Sequence, residues 1–88
     1  MARVLVTGSA DGLGLAVGTR LIDQGHEVVL HARSAARADA TRQAAPGAAD
    51  VLVGDLSSRS ETEALAAAAN DSGRFDAVIH NALSLIHI

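Results

Sequence analysis

The feature that most constrains this chain is a glycine-rich turn set between a β-branched run and a helical pattern. Val4-Leu5-Val6-Thr7 is short and apolar on both sides, as expected of a strand buried on both faces. Gly8, Gly12 and Gly14 follow within seven positions, and Leu13, Ala16, Val17, Leu21 and Ile22 then recur at helical spacing. A strand that turns on glycines directly into a helix fits the junction at which a dinucleotide pyrophosphate is held. The chemistry needs glycine because a Cβ would keep phosphate away from the backbone N–H groups. The start of the helix adds unpaired N–H donors and the positive end of its dipole. A glycine triad alone is a weak signal, since a tight turn that binds nothing also satisfies it. The strand before it, the helix after it and a second strand about twenty residues on supply the context the motif requires.

The rest of the chain repeats the alternation. Residues 3–7 form the first strand, and a helix over 12–24 stops at Gly25, the residue type favoured just past a helix end. Gly18 inside that helix is tolerable if it lets the helix sit close to a sheet. Residues 27–31 (E-V-V-L-H) read as the second strand; Ser34 then caps a helix to about Ala45, ended by Pro46-Gly47. Residues 50–54 are the third strand. Both Ser58-x-x-Glu61 and Ser60-x-x-Glu63 fit a capping box, so a third helix begins near there and reaches Asn70, with Ser72-Gly73 as its stop. Residues 76–80 are the fourth strand. Four short apolar strands alternating with three helices predict an α/β fold, a doubly wound parallel sheet with right-handed crossovers.

Composition excludes several classes. Eighty-eight residues make one globular unit at most, and with one Phe, no Trp and no Tyr the core must be Val, Leu, Ile and Ala. A chain of this size buries roughly 60–65% of its unfolded surface, enough for a marginal core. Net charge is −3, with seven Arg and ten acids dispersed, which points to neither nucleic acid nor an anionic membrane as partner. Cysteine is absent, so there is no disulfide, thiolate metal site or Cys nucleophile. No apolar run is long enough to span a bilayer, and Met1-Ala2-Arg3 runs into a strand without a signal-peptide layout, so a cytoplasmic location is expected. Of the four His, His31 and His80 end strands that the first strand separates, and His26 lies in a turn. No ligand spacing emerges, and no metal site is expected.

Thr7-Gly8-x-x-x-Gly12-x-Gly14 resembles the signature of the classical short-chain dehydrogenases/reductases. The extended branch of that superfamily would place a glycine at position 11, where this chain has Asp11. The resemblance implies a Rossmann-type sheet of order 3-2-1-4, with residues 1–82 forming the N-terminal part of an NAD(P)-binding domain. It implies cofactor contacts from Thr7, Gly8, Ser9, Asp11, Gly12, Leu13 and Gly14. An acid at the end of the second strand would bind the ribose of NAD, but the chain reads His31-Ala32-Arg33-Ser34. Arg33 can pair with a phosphate and Ser34 adds a hydroxyl at a helix start, so NADP is favoured over NAD; the competing reading of Arg33 is a solvated surface side chain. By resemblance Asp55 meets the adenine amino group and Leu56 flanks the ring, while an N-cap role for Asp55 competes without excluding this. Asn81-Ala82 matches the middle of the family's N-N-A-G segment, with His80 and Leu83 departing from it at either side.

Family members complete their chemistry with a downstream Ser and a Tyr-x-x-x-Lys pair. This chain holds no Tyr and no Lys, so no catalytic residue is assigned and the chain alone is expected to be inactive. Residues 83–88 (L-S-L-I-H-I) match the translation of a transposon-end adapter, CTG TCT CTT ATA CAC ATC, and are read as a non-native tail; the alternative is a genuine short protein ending in an apolar strand extension. The sequence therefore predicts an N-terminal piece of an NADP(H)-dependent oxidoreductase. Its small-molecule substrate would bind to the missing half, and the parent would be a homo-oligomer as is usual in the family. The rival is a complete non-catalytic NADP(H)-binding or redox-sensing module.

Overall fold

The computed structural model describes residues 2–9, 12–71 and 73–79. Its elements are β1 (Arg3–Val6), α1 (Gly12–Asp23), β2 (Glu27–Ala32), α2 (Ala35–Ala44), β3 (Asp50–Val53), α3 (Arg59–Asp71) and β4 (Ala77–Ile79). All strand pairs are parallel and the order is β3-β2-β1-β4, the doubly wound arrangement that the alternation of elements predicts. Strand β2 runs one residue beyond the expected end because Ala32 still pairs with Val53 and accepts a hydrogen bond from the Gly54 N–H (3.0 Å). The expected site residues Asp11, Asn81 and Ala82, together with His80 and the tail 83–88, lie outside the described residues.

The period of two along each strand divides the core between two faces. Val4, Val6, Val28, Leu30 and Val51 pack with Ala38 and Ala45 of the α2 region, and Leu15, Leu21 and Ile22 of α1 lie against them. Leu5, Val29 and Leu52 point the other way, to Leu65 and Ala69 of α3, with Leu56 and Phe75 at the margin. Two helices thus cover one face and one covers the other. Gly18 explains how closely α1 approaches: a Cβ there would stand 2.5 Å from Cδ2 of Leu30, which is fully buried.

Helix α1 ends where its glycine predicts. Gly25 takes φ +90°; its N–H donates to Ile22 O (3.0 Å) and the His26 N–H donates to Leu21 O (3.1 Å), the two bonds of a Schellman stop. The amino end of the sheet is tied by Arg3 and Asp76. Arg3 N–H donates to Asp76 Oδ2 (2.7 Å) and Asp76 N–H to Arg3 O (2.8 Å). The Arg3 guanidinium pairs with Glu27 (2.6 Å) and sits 4.6 Å from the centre of the Phe75 ring. Among the described residues no helix is long and apolar enough to cross a membrane.

Candidate functional site

Three strand-to-helix junctions share the carboxyl edge of the sheet, where ligands bind in open α/β folds. The β1–α1 junction is built for backbone exposure. Gly8 (φ +64°) and Gly12 (φ +60°) adopt left-handed conformations that a Cβ disfavours. Among the described residues a Cβ placed on Gly12 would meet nothing within 4 Å, so space lies open beside that atom. Leu13 is 72% exposed, Gly14 is buried, and the first turn of α1 holds no acid. The described first turn thus sets no carboxylate of its own against the positive end of the helix dipole.

Side chains beneath the turn fix it. Ser9 is fully buried; its hydroxyl donates to Val6 O (2.8 Å) and accepts the His31 N–H (2.6 Å), while its own N–H donates to His31 O (3.0 Å). Its place is under the turn, not on the open face. Thr7 is also buried, with its N–H (3.0 Å) and its Oγ1 (3.3 Å) donating to Ile79 O. His31 completes the support. The Gly8 N–H donates to its Nδ1 (2.8 Å), and its Nε2 lies 2.7 Å from Gly54 O. A carbonyl oxygen only accepts, so Nε2 is the donor in this contact, while Nδ1 accepts from Gly8. Sequence reasoning weighed His31 only as a metal ligand and missed this. The signal available was a lone imidazole ending an apolar strand that neighbours the glycine turn.

At the β2–α2 junction Arg33 projects outward, its side chain 69% exposed, with Nη2 3.4 Å from Asp55 Oδ2. Ser34 caps α2 by accepting the Arg37 N–H at Oγ (3.3 Å), which leaves the hydroxyl hydrogen to donate elsewhere. The β3–α3 junction closes on itself. Asp55 Oδ1 accepts from the Ser57 N–H (3.0 Å) and the Ser57 hydroxyl (2.7 Å). These bonds, and to a lesser degree the charge of Arg33, hold the Asp55 carboxyl below the usual carboxylate value. The N-cap of α3 is Ser58, whose Oγ accepts the Glu61 N–H (3.4 Å) and whose carbonyl accepts the Thr62 N–H (2.9 Å). Asp55 therefore closes the turn before the helix and does not cap it. Of the two candidate boxes the one at Ser58 is used, in altered form: the Glu61 carboxylate reaches back to the Asp55 N–H (3.2 Å). Leu56 is half-buried against the α3-side core.

The structure thus brings Arg33 and Asp55 together and sets the glycine turn beside them through His31, which reaches from Gly8 to Gly54. Among the described residues no three His, Asp or Glu converge on one point. The edge offers N–H donors and a helix start at one junction, and an exposed guanidinium with a carboxylate at the next. That suits an anionic ligand of two parts better than a proton-shuttling centre.

Comparison with known proteins agrees. Residues 2–84 match the short chain dehydrogenase family. An uncharacterized oxidoreductase of Emericella nidulans is 58% identical over 82 residues, which are 93% of this chain and 32% of that protein. The chain thus spans about a third of the length of the curated relatives it matches. Among solved structures, an actinorhodin polyketide ketoreductase with NADPH superimposes with a TM-score of 0.73 at 32% identity, over 91% of this chain and 32% of that one. A short-chain dehydrogenase from Sphingobium yanoikuyae in complex with NADPH gives 0.60 at 32% identity, over 73% of this chain and 27% of that one. The glycine turn, the strand order and a match over nearly the whole sequence lead to one conclusion: this chain belongs to the short-chain dehydrogenase family of oxidoreductases.

Proposed function

We propose that the chain is the N-terminal, cofactor-binding part of an NADP(H)-dependent oxidoreductase. The observation that carries the cofactor preference is Arg33, which stands 69% exposed at the end of β2 where an NAD-binding edge would present an acid. Its contact with Asp55 is long (3.4 Å) and solvated, so it is a weak competitor for a phosphate dianion. In this reading the pyrophosphate lies on the N–H groups of Gly12, Leu13 and Gly14, with Thr7, Gly8, Ser9 and Asp11 forming the turn around it. Arg33 and Ser34 take the 2′-phosphate. Asp55 accepts from the adenine amino group, Leu56 flanks the ring, and Asn81 and Ala82 are the residues for the cofactor ribose. The fit rests on the open space beside Gly12 and on the outward guanidinium. Calorimetric titration with NADP⁺ and NAD⁺ tests it. The chain should favour NADP⁺, and Arg33→Asp should reverse the order, because one lost charge-assisted contact is worth roughly 1.5–3 kcal/mol. An unchanged preference in the variant would make Arg33 a merely solvated side chain.

When bound, NADP(H) supplies or takes up a hydride. The chain's own residues bind and orient the dinucleotide but supply no Tyr-x-x-x-Lys pair to exchange the proton, since the sequence contains neither Tyr nor Lys. NADPH consumption with a panel of carbonyl compounds should match the protein-free blank. The small-molecule substrate and the homo-oligomer contacts then belong to the rest of a cytoplasmic parent enzyme. The same absence of Tyr and Lys favours a second reading, a non-catalytic NADP(H)-binding or redox-sensing module. The coding DNA beyond codon 82 separates the two: an open frame with Tyr-x-x-x-Lys supports the enzyme, and a stop codon supports the module.

A further inference from the structure

The strongest feature that the proposed binding scheme does not use is the buried imidazole under the turn. We infer that His31 is the positioning residue of the dinucleotide site, holding the glycine turn in its phosphate-binding shape through the Gly8 N–H. This deepens the proposed function and rests on it.

His31 is 2% exposed and lies at the second-last position of β2. Both ring nitrogens have partners: Nδ1 accepts the Gly8 N–H at 2.8 Å, and Nε2 faces Gly54 O at 2.7 Å. The two bonds are not equivalent in purpose. The Gly54 carbonyl can only accept, so it places the proton on Nε2 and leaves Nδ1 bare for Gly8; one bond sets the tautomer that the other requires. Gly54 needs no help from the ring to stay in place, because its N–H is held by Ala32 O at 3.0 Å. Gly8 is different. It sits at φ +64°, at the point where β1 ends and the chain turns away, and the imidazole grips its N–H from the β2 side. Ser9 binds the main chain of the same residue, at His31 N and His31 O, so the turn is fastened to the end of β2 through both the backbone and the side chain of one residue. A small apolar side chain would fill the strand position but remove the imidazole acceptor from the part-buried Gly8 N–H. The turn would then relax, and phosphate binding should suffer more than adenosine binding.

The test uses the 88-residue chain titrated with two probes, NADP⁺ and 2′-AMP; the second carries the adenosine and 2′-phosphate but no pyrophosphate. His31→Leu should weaken NADP⁺ roughly tenfold, the equivalent of one lost hydrogen bond, and leave 2′-AMP unchanged. His31→Asn puts an acceptor oxygen near the position of Nδ1 and should return NADP⁺ affinity to within about threefold of the original, since the acceptor for Gly8 is what matters. A loss shared by 2′-AMP, or one that Asn does not repair, assigns His31 to packing and overturns the inference. Equal NADP⁺ affinity in all three proteins also overturns it. The unsubstituted chain gives an independent check: imidazole ¹⁵N shifts should report His31 protonated at Nε2 and bare at Nδ1, and the opposite tautomer or a doubly protonated ring contradicts the inference whatever the variants do. If the unsubstituted chain binds neither probe, it is the dinucleotide reading that fails, and this inference with it.

Discussion

The β1–α1 and β3–α3 junctions are the same piece of architecture, a parallel strand turning into a helix at one edge of one sheet, and they are finished in opposite ways. The first is made of glycines at positive φ with open space beside Gly12 and no acid in the first helical turn. Its polar side chains, Ser9 and His31, lie beneath it and hold the main chain from inside. The second fills its own donors: Asp55 takes Ser57, Ser58 takes the Glu61 N–H, and Glu61 takes the Asp55 N–H. In the proposed reading, a helix start serves as an anion site through what is withheld from it. Any helix start carries a dipole and N–H groups without intrahelical partners; at β3–α3 the Ser58 hydroxyl takes one of them, and carboxylates close the turn before it.

Substitutions at the two junctions should separate binding from stability. The largest effect is expected at Gly12→Ala. The methyl group costs about 1–2 kcal/mol at φ +60° and enters the space a phosphate would occupy, so NADP⁺ affinity should fall by at least about tenfold in a calorimetric titration. An alanine variant that binds like the original would break the distinction between the junctions. Next comes Ser58→Ala, which removes the cap of α3. Thermal or urea unfolding should show a loss of about 1 kcal/mol, while dinucleotide affinity of the folded chain stays the same. A parallel loss of affinity would show that the cap of α3, and not only Asp55 and Leu56 before it, bears on the ligand.

The smallest effect concerns pH. The Asp55 carboxyl is held below its usual value of 3.8, first by Ser57 and less by Arg33. A group whose pKa is lower folded than unfolded stabilises the fold at pH values above the unfolded one, and that contribution disappears as pH falls through the folded value. Unfolding measured from about pH 5 down to about pH 2 should therefore lose stability more steeply in the original chain than in Asp55→Asn. Identical pH profiles would mean that the Ser57 bonds do not persist in solution.

Much of this was legible in the sequence because it is local or periodic. The alternation of apolar strands with helical spacing fixes element order and parallel pairing, and Gly25, Ser34 and Ser58 mark helix ends by their own chemistry. Gly18 was readable as a close approach to the sheet, though not that Leu30 was its partner. What could not be read depends on contacts between distant positions. Asp55 fits an N-cap by type, and only the turn geometry shows its carboxylate directed to Ser57 while Ser58 caps the helix. His31 stood out as a histidine, but its role needs Gly8 and Gly54 brought to either side of one ring, each 23 residues away in the chain. The pairing of Arg33 with Asp55 likewise appears only once β2 and β3 are adjacent.

The most direct test is to follow backbone amides by ¹H–¹⁵N correlation spectra while NADP⁺ is added. The expected result is large shifts at Gly8, Gly12, Leu13 and Gly14, with a second group at Arg33 and Ser34, and little change at Ser57, Ser58 and Glu61. Shifts centred on residues 57–61, with the glycine turn silent, would contradict the assignment of the open junction as the phosphate site.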